Sequence, residues 1–171
     1  VIRVEQRDII ASLIRLHQTT APNAKFVLIG ASEAYLIASS IPASWTVLLT
    51  PYKPFSFESF NGNDDSFAVL KNAGVRVGLA PLSEPDQVAW LSAFANQLSS
   101  LQGVTREDAL RAVTATVASA YDLNRFNVSG TIEVGKKASL VVTSCNNPLE
   151  FGCKTLLLVS GANFECNPPF M

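Results

Sequence analysis

One histidine, three cysteines and 14 carboxylates are what this 171-residue chain offers for bond chemistry. Imidazole chemistry is limited to His17, which would need carboxylates or thiols beside it to hold a metal or relay a proton. It falls on the flank of an apolar helical stripe and reads as a surface or helix-packing histidine. Glu5 directly follows the β-rich Val1 to Val4, a strand end from which a carboxylate can ligate a hard cation or act as a base. Arg3 and Arg7 flank it, which favours a solvated or salt-bridged carboxylate. Glu33 stands three residues after Gly30, either facing a site or serving as an acid favoured by a helix N-terminus. Glu84 and Asp86 bracket Pro85 in a later loop. Gly30-Ala31-Ser32 could offer free N–H groups to an anion, though one glycine without G-x-G-x-x-G makes a thin phosphate signature. Ser32 and Ser83 lack both a G-x-S-x-G elbow and a histidine partner. Tyr52, Phe55, Phe57 and Phe60 could line a substrate pocket or staple a long loop. Cys145, Cys153 and Cys166 cluster near the end, and Asn127-Val128-Ser129 is a glycosylation sequon. A Cys145–Cys153 bridge and a secreted or lumenal compartment would account for both, with one cysteine left over.

The elements that must position these residues follow from hydrophobic spacing. Val1 to Val4 reads as a strand, and Ile9, Ile10, Leu13, Ile14 and Leu16 as a helix after Asp8. Lys25 to Ile29 and Trp45 to Leu49 are continuous apolar runs, as expected of strands covered on both faces. Glu33 to Ser39 reads as the helix between them, closed by Pro42. Residues 51–66 look like a long loop. A helix from Ser66 to Ala73 capped by Gly74, a strand from Val75 to Ala80 and a helix from Gln87 to Leu101 complete four strand–helix alternations and argue for a parallel sheet. Thr105 with Asp108 makes a capping box opening a helix that runs to about Tyr121. Beyond it Thr131 to Val134, Ser139 to Thr143 and Leu156 to Val159 read as short strands.

With 48% apolar and 16% charged residues the chain can bury a core. A net charge of −1 with no basic run argues against nucleic acid, and no stretch approaches the roughly 18 to 20 apolar residues of a bilayer span. The chain begins at Val1 inside an apolar run, which suggests a piece of a longer protein.

Gly103-Val104-Thr105 through Ala109-Leu110 to Thr114, then Gly130-Thr131-Ile132-Glu133-Val134-Gly135-Lys136-Lys137-Ala138-Ser139-Leu140-Val141-Val142, then Pro148-Leu149-Glu150, resemble the end of the amidohydrolase superfamily in its imidazolonepropionase-like branch. Upstream, Asp8-Ile9, Ile29-Gly30 with Glu33-Ala34, and Leu70 to Val75 resemble the later strands and helices of that family's barrel. The resemblance implies an α/β fold: the C-terminal half of a (β/α)8 TIM-type barrel, residues 1–122, followed by strands of a small composite β-sandwich, residues 123–171. It implies a hydrolase that cleaves non-peptide carbon–nitrogen bonds of a small molecule with water activated on a divalent metal, zinc first. The partner it implies is the N-terminal half of the same protein; half a barrel also exposes two sheet edges through which copies could associate.

The family's ligand positions can be inspected. Ile2-Arg3-Val4-Glu5, Leu28-Ile29-Gly30 and Leu79-Ala80-Pro81-Leu82-Ser83 stand at the strand-five, strand-six and strand-eight ends, and none carries the family's histidine or aspartate. Glu5, Glu33 and Asp86 are the residues that could substitute, the principal ligands then belonging to the N-terminal half. Ser139 also replaces the aspartate of the family's A-D-L-V-V. The competing expectation is a degenerate, metal-free relative kept for binding or assembly.

Overall fold

The structure is a computed structural model that describes residues 1–50, 65–81, 91–101, 104–123, 131–150 and 152–166. Four strands, β1 (Ile2–Val4), β2 (Val27–Gly30), β3 (Thr46–Leu49) and β4 (Arg76–Leu79), form one parallel sheet in the order β1-β2-β3-β4. Each is followed by helical structure: α1 (Arg7–Thr20), a 3-10 segment (Ala34–Ser40), α2 (Ser66–Asn72), and then α3 (Leu91–Leu101) and α4 (Arg106–Val113). Parallel pairing requires such crossovers.

The register sets two rows. Ile2, Leu28, Val47 and Val77 align in one rung, and Val4, Gly30, Leu49 and Leu79 in the next rung on the same face. This face carries the main core, joining Ile10 and Ile14 of α1, Phe67 and Leu70 of α2, Ala95 of α3, and Ala109 and Ala112 of α4. The other row puts Val27, Ile29 and Leu48 on the opposite face, where Val117 and Ala120 of α5 (Ala115–Ala120) pack against them.

A single helix to Tyr121 was expected here, and the structure breaks it at Thr114 (φ −127°, ψ −90°). Val113-Thr114-Ala115-Thr116-Val117 is rich in β-branched residues with poor helix propensity, and the Thr114 hydroxyl donates back to the Leu110 carbonyl at 2.7 Å. The turn carries Val117 to the sheet's second face. Gly78 accommodates the passage: a Cβ there would lie 2.8 Å from the Ala112 carbonyl oxygen and 2.9 Å from Leu48 Cδ2.

Two further expectations are corrected. Ala34–Ser40 is 3-10 with a kink at Ile37, because the chain enters it through positive-φ Gly30 and Ala31 and leaves within one further turn toward Pro42. Thr131 to Val134 pairs with no strand among the described residues; Ile132 and Val134 are exposed, and the Lys136 N–H and ammonium fold back on Glu133 and Thr131. The second sheet is antiparallel, β5 (Ser139–Thr143), β6 (Thr155–Ser160) and β7 (Asn163–Cys166), the last not anticipated. No helix among the described residues is long and apolar enough to cross a membrane.

The capping box forms as its spacing requires. The Thr105 hydroxyl accepts from Asp108 N–H at 3.1 Å, and Asp108 Oδ2 accepts from Thr105 N–H at 3.2 Å. The same carboxylate takes the Lys71 ammonium of α2, and these hydrogen bonds, Lys71 first and Thr105 next, hold its pKa below the ordinary aspartate range. We expect Asp108→Asn to cost about 1 kcal/mol at neutral pH, discounted for the partial exposure of both partners. A depressed folded-state pKa gives stability that is present above the unfolded value and fades as pH falls through the folded one. Urea denaturation of both proteins should therefore show the gap closing in acid; a gap independent of pH would refute the assignment.

Candidate functional site

The residues singled out by sequence divide by location. Glu84, Asp86, Ser83, the loop aromatics Tyr52, Phe55, Phe57 and Phe60, and the Asn127 sequon lie outside the described residues. His17, Glu5, Glu33 and Ser32 can be placed.

His17 lies at the N-terminal end of the sheet, opposite the strand ends that carry Glu5 and Glu33. It is 7% exposed, which removes the surface alternative and leaves the helix-packing one. Its ring stands edge-on to Phe26 and Trp45, with centroids 5.7 and 5.3 Å away, and Nε2–H donates to the Ala24 carbonyl at 3.0 Å.

Glu5 and Glu33 are brought together at the C-terminal ends of adjacent strands. The backbone first ties the two loops: Ala31 N–H donates to Val4 O at 2.6 Å and Glu33 N–H to Glu5 O at 3.1 Å. The side chains then cross between them. Glu5 Oε2 accepts from Ser32 N–H at 3.2 Å, and Glu33 Oε2 accepts from Arg7 N–H at 2.9 Å. Glu5 is 3% exposed and Glu33 9%, so of the solvated and salt-bridged alternatives expected at position 5 the solvated one is removed. Gly30 makes room: at φ +88° a Cβ would sit 2.4 Å from Glu5 Oε1. Ala31, fully buried, also holds a positive φ of 46°.

The anion-binding reading of Gly30-Ala31-Ser32 is corrected by these contacts. The N–H groups of residues 31, 32 and 33 are all taken, two by carbonyls and one by the Glu5 carboxylate. Glu33 serves a helix N-terminus, as one of its two expected readings had it, but of a different helix. It precedes the 3-10 segment, yet its carboxylate caps the N-terminus of α1, 26 residues earlier in sequence. The signal was present in α1 itself, whose preceding residue, Gln6, makes no side-chain cap, leaving an orphan donor for another acceptor. Beside the pair, Arg3, Val4, Glu5, Gln6 and Ile9 line an open depression of about 300 Å³.

Among the described residues no three histidine, cysteine, aspartate or glutamate side chains gather as a metal-binding group. Glu5 and Glu33 each give an oxygen to a main-chain donor, so these residues by themselves do not fit a hydrolytic metal centre.

No protein-family model matches the chain, and no curated protein matches it. Its fold is similar to the crystal structure of an amidohydrolase from Thermotoga maritima MSB8, with a TM-score of 0.81 at 22% identity over 95% of this chain and 42% of that one. It is also similar to the crystal structure of an uncharacterized protein, with a TM-score of 0.69 at 18% identity over 96% of this chain and 45% of that one. The chain thus spans less than half the length of either protein. At these identities the likeness establishes an amidohydrolase-like fold and nothing finer.

Proposed function

We propose that the chain is the C-terminal portion of an amidohydrolase-type hydrolase of the imidazolonepropionase-like branch. In this reading residues 1–122 are the last half of a (β/α)8 barrel and residues 123–171 the closing strands of a composite β-sandwich. The substrate is a small molecule with a non-peptide carbon–nitrogen bond, and the partner that completes the site is the N-terminal half of the same protein. The carrying observation is the parallel sheet with its crossovers, in a fold similar to part of an amidohydrolase; on the barrel reading Glu5 and Glu33, which follow β1 and β2, would stand at the mouth where catalytic groups converge. Among the described residues β1 and β4 are the sheet's two edges, where further strands of a barrel would pair.

The described residues have a defined part in this scheme. Glu5 and Glu33 fix the loops after β1 and β2 against each other, holding one side of the mouth rigid. A resident divalent metal, zinc in the first instance, would supply activated water and would draw its principal ligands from outside the described residues. The intact protein should hydrolyse members of a panel of cyclic and linear small amides, lose that activity on chelation and regain it with zinc. Absence of turnover under every condition would overturn the hydrolase reading.

A second reading is favoured by the engagement of both carboxylates with backbone donors: an amidohydrolase-like scaffold that binds without chemistry. It predicts saturable ligand binding without turnover in the same panel.

A further inference from the structure

Leu149 is the only buried residue among those described after Leu123, at 4% exposure. Every described side chain of β5 and β6 is partly or fully exposed, whereas Leu149 belongs to the main core shared by the large sheet and its helices. The loop that carries it joins β5 to β6 and is closed at its base by the Cys145–Cys153 disulfide. Inside the loop, Leu149 N–H donates to Asn147 Oδ1 at 3.1 Å and Glu150 N–H to Asn147 O at 3.1 Å, a turn that aims the leucine outward from the small sheet. Asn147 Nδ2 also reaches Asn96 Oδ1 of α3 at 3.4 Å. Next to the bridge, Ser144 N–H donates to Lys154 O at 2.9 Å, and Lys154 N–H to Ser144 Oγ at 3.0 Å.

We propose that this disulfide-closed loop is a redox-sensitive clasp that docks the small sheet on the α/β body through Leu149. The disulfide is the covalent tie across this base and the Ser144–Lys154 hydrogen bonds beside it are each worth only about 1 kcal/mol, so without the bridge the loop gains many conformations in which the leucine is withdrawn. A dithiol reductant supplies two electrons and two protons; the Sγ–Sγ bond breaks, Cys145 and Cys153 become thiols, and the dithiol leaves as its own disulfide. The large sheet's core extends well beyond Leu149, so its strands remain formed while the small sheet is released.

The test is hydrogen–deuterium exchange of the intact oxidised protein before and after dithiothreitol. Reduction should accelerate exchange in residues 139–160 about tenfold or more, leave α1 and β2 unchanged, and reverse on reoxidation. Cys145→Ser with Cys153→Ser should exchange like the reduced protein and ignore reductant; Leu149→Ala should raise exchange in the same segment with the bridge intact. Unchanged exchange on reduction, or an equal rise across α1 and β2, would overturn the clasp, and the wild-type measurement decides even if a variant fails to fold.

Discussion

Gly30→Ala should destabilise the protein by about 3 kcal/mol, and most of that loss in excess of backbone strain should vanish when Glu5 is also changed to alanine. The left-handed backbone at position 30 costs any L-residue about 1 to 2 kcal/mol wherever its neighbours lie. The added methyl would also enter the space of the Glu5 carboxylate, 2.4 Å from Oε1, and that carboxylate is confined by burial and by Ser32 N–H. Glu5→Ala alone removes a charge-assisted hydrogen bond and should cost about 2 kcal/mol. In the double variant the clash has no second party, so a double-mutant cycle by urea unfolding should report a coupling of about 1 to 2 kcal/mol. Simple additivity would show that Glu5 does not lie over Gly30 in solution.

Gly78→Val should be still more damaging, by about 3 kcal/mol or more. Its added atoms would meet a backbone carbonyl, that of Ala112, which cannot rotate away as a side-chain tip can. Relief requires lifting the α4–α5 junction off β4, which also withdraws Val117 and Ala120 from Val27 and Leu48. Chemical denaturation should show a lowered midpoint, and loss of protection should concentrate in α4 and α5. A cost below about 1 kcal/mol would mean that the junction does not cross β4 at this distance.

Much of this architecture was legible in the residues. The apolar runs ending at Ile29 and Leu49 read as strands covered on both faces, Val75 to Ala80 reads as the next strand, and Gly74 takes the positive φ its place after a helix suggested. Thr105 and Asp108 form the box their spacing implies, and Cys145 pairs with Cys153. The features that escaped depend on contacts distant in sequence. Nothing local to Glu33 says that it caps a helix beginning at Arg7; that follows only once β1 and β2 lie side by side. The break at Thr114 reflects competition between a β-branched run and the apolar second face of the sheet. Thr131 to Val134 has strand-forming composition without a neighbouring strand among the described residues, and composition alone does not supply hydrogen-bond partners.

The site was legible as positions more than as chemistry. Glu5 and Glu33 were identified from the strand ends they follow, and the structure brings both there, buried and cross-bonded. Their use as structural ties leaves the hydrolytic reading dependent on groups elsewhere in the protein. Elemental analysis of the intact natural protein, purified without chelator, tests that reading most directly. The account predicts about one or more equivalents of zinc, iron or manganese per folded chain; a folded protein free of transition metal would contradict it and leave the binding scaffold.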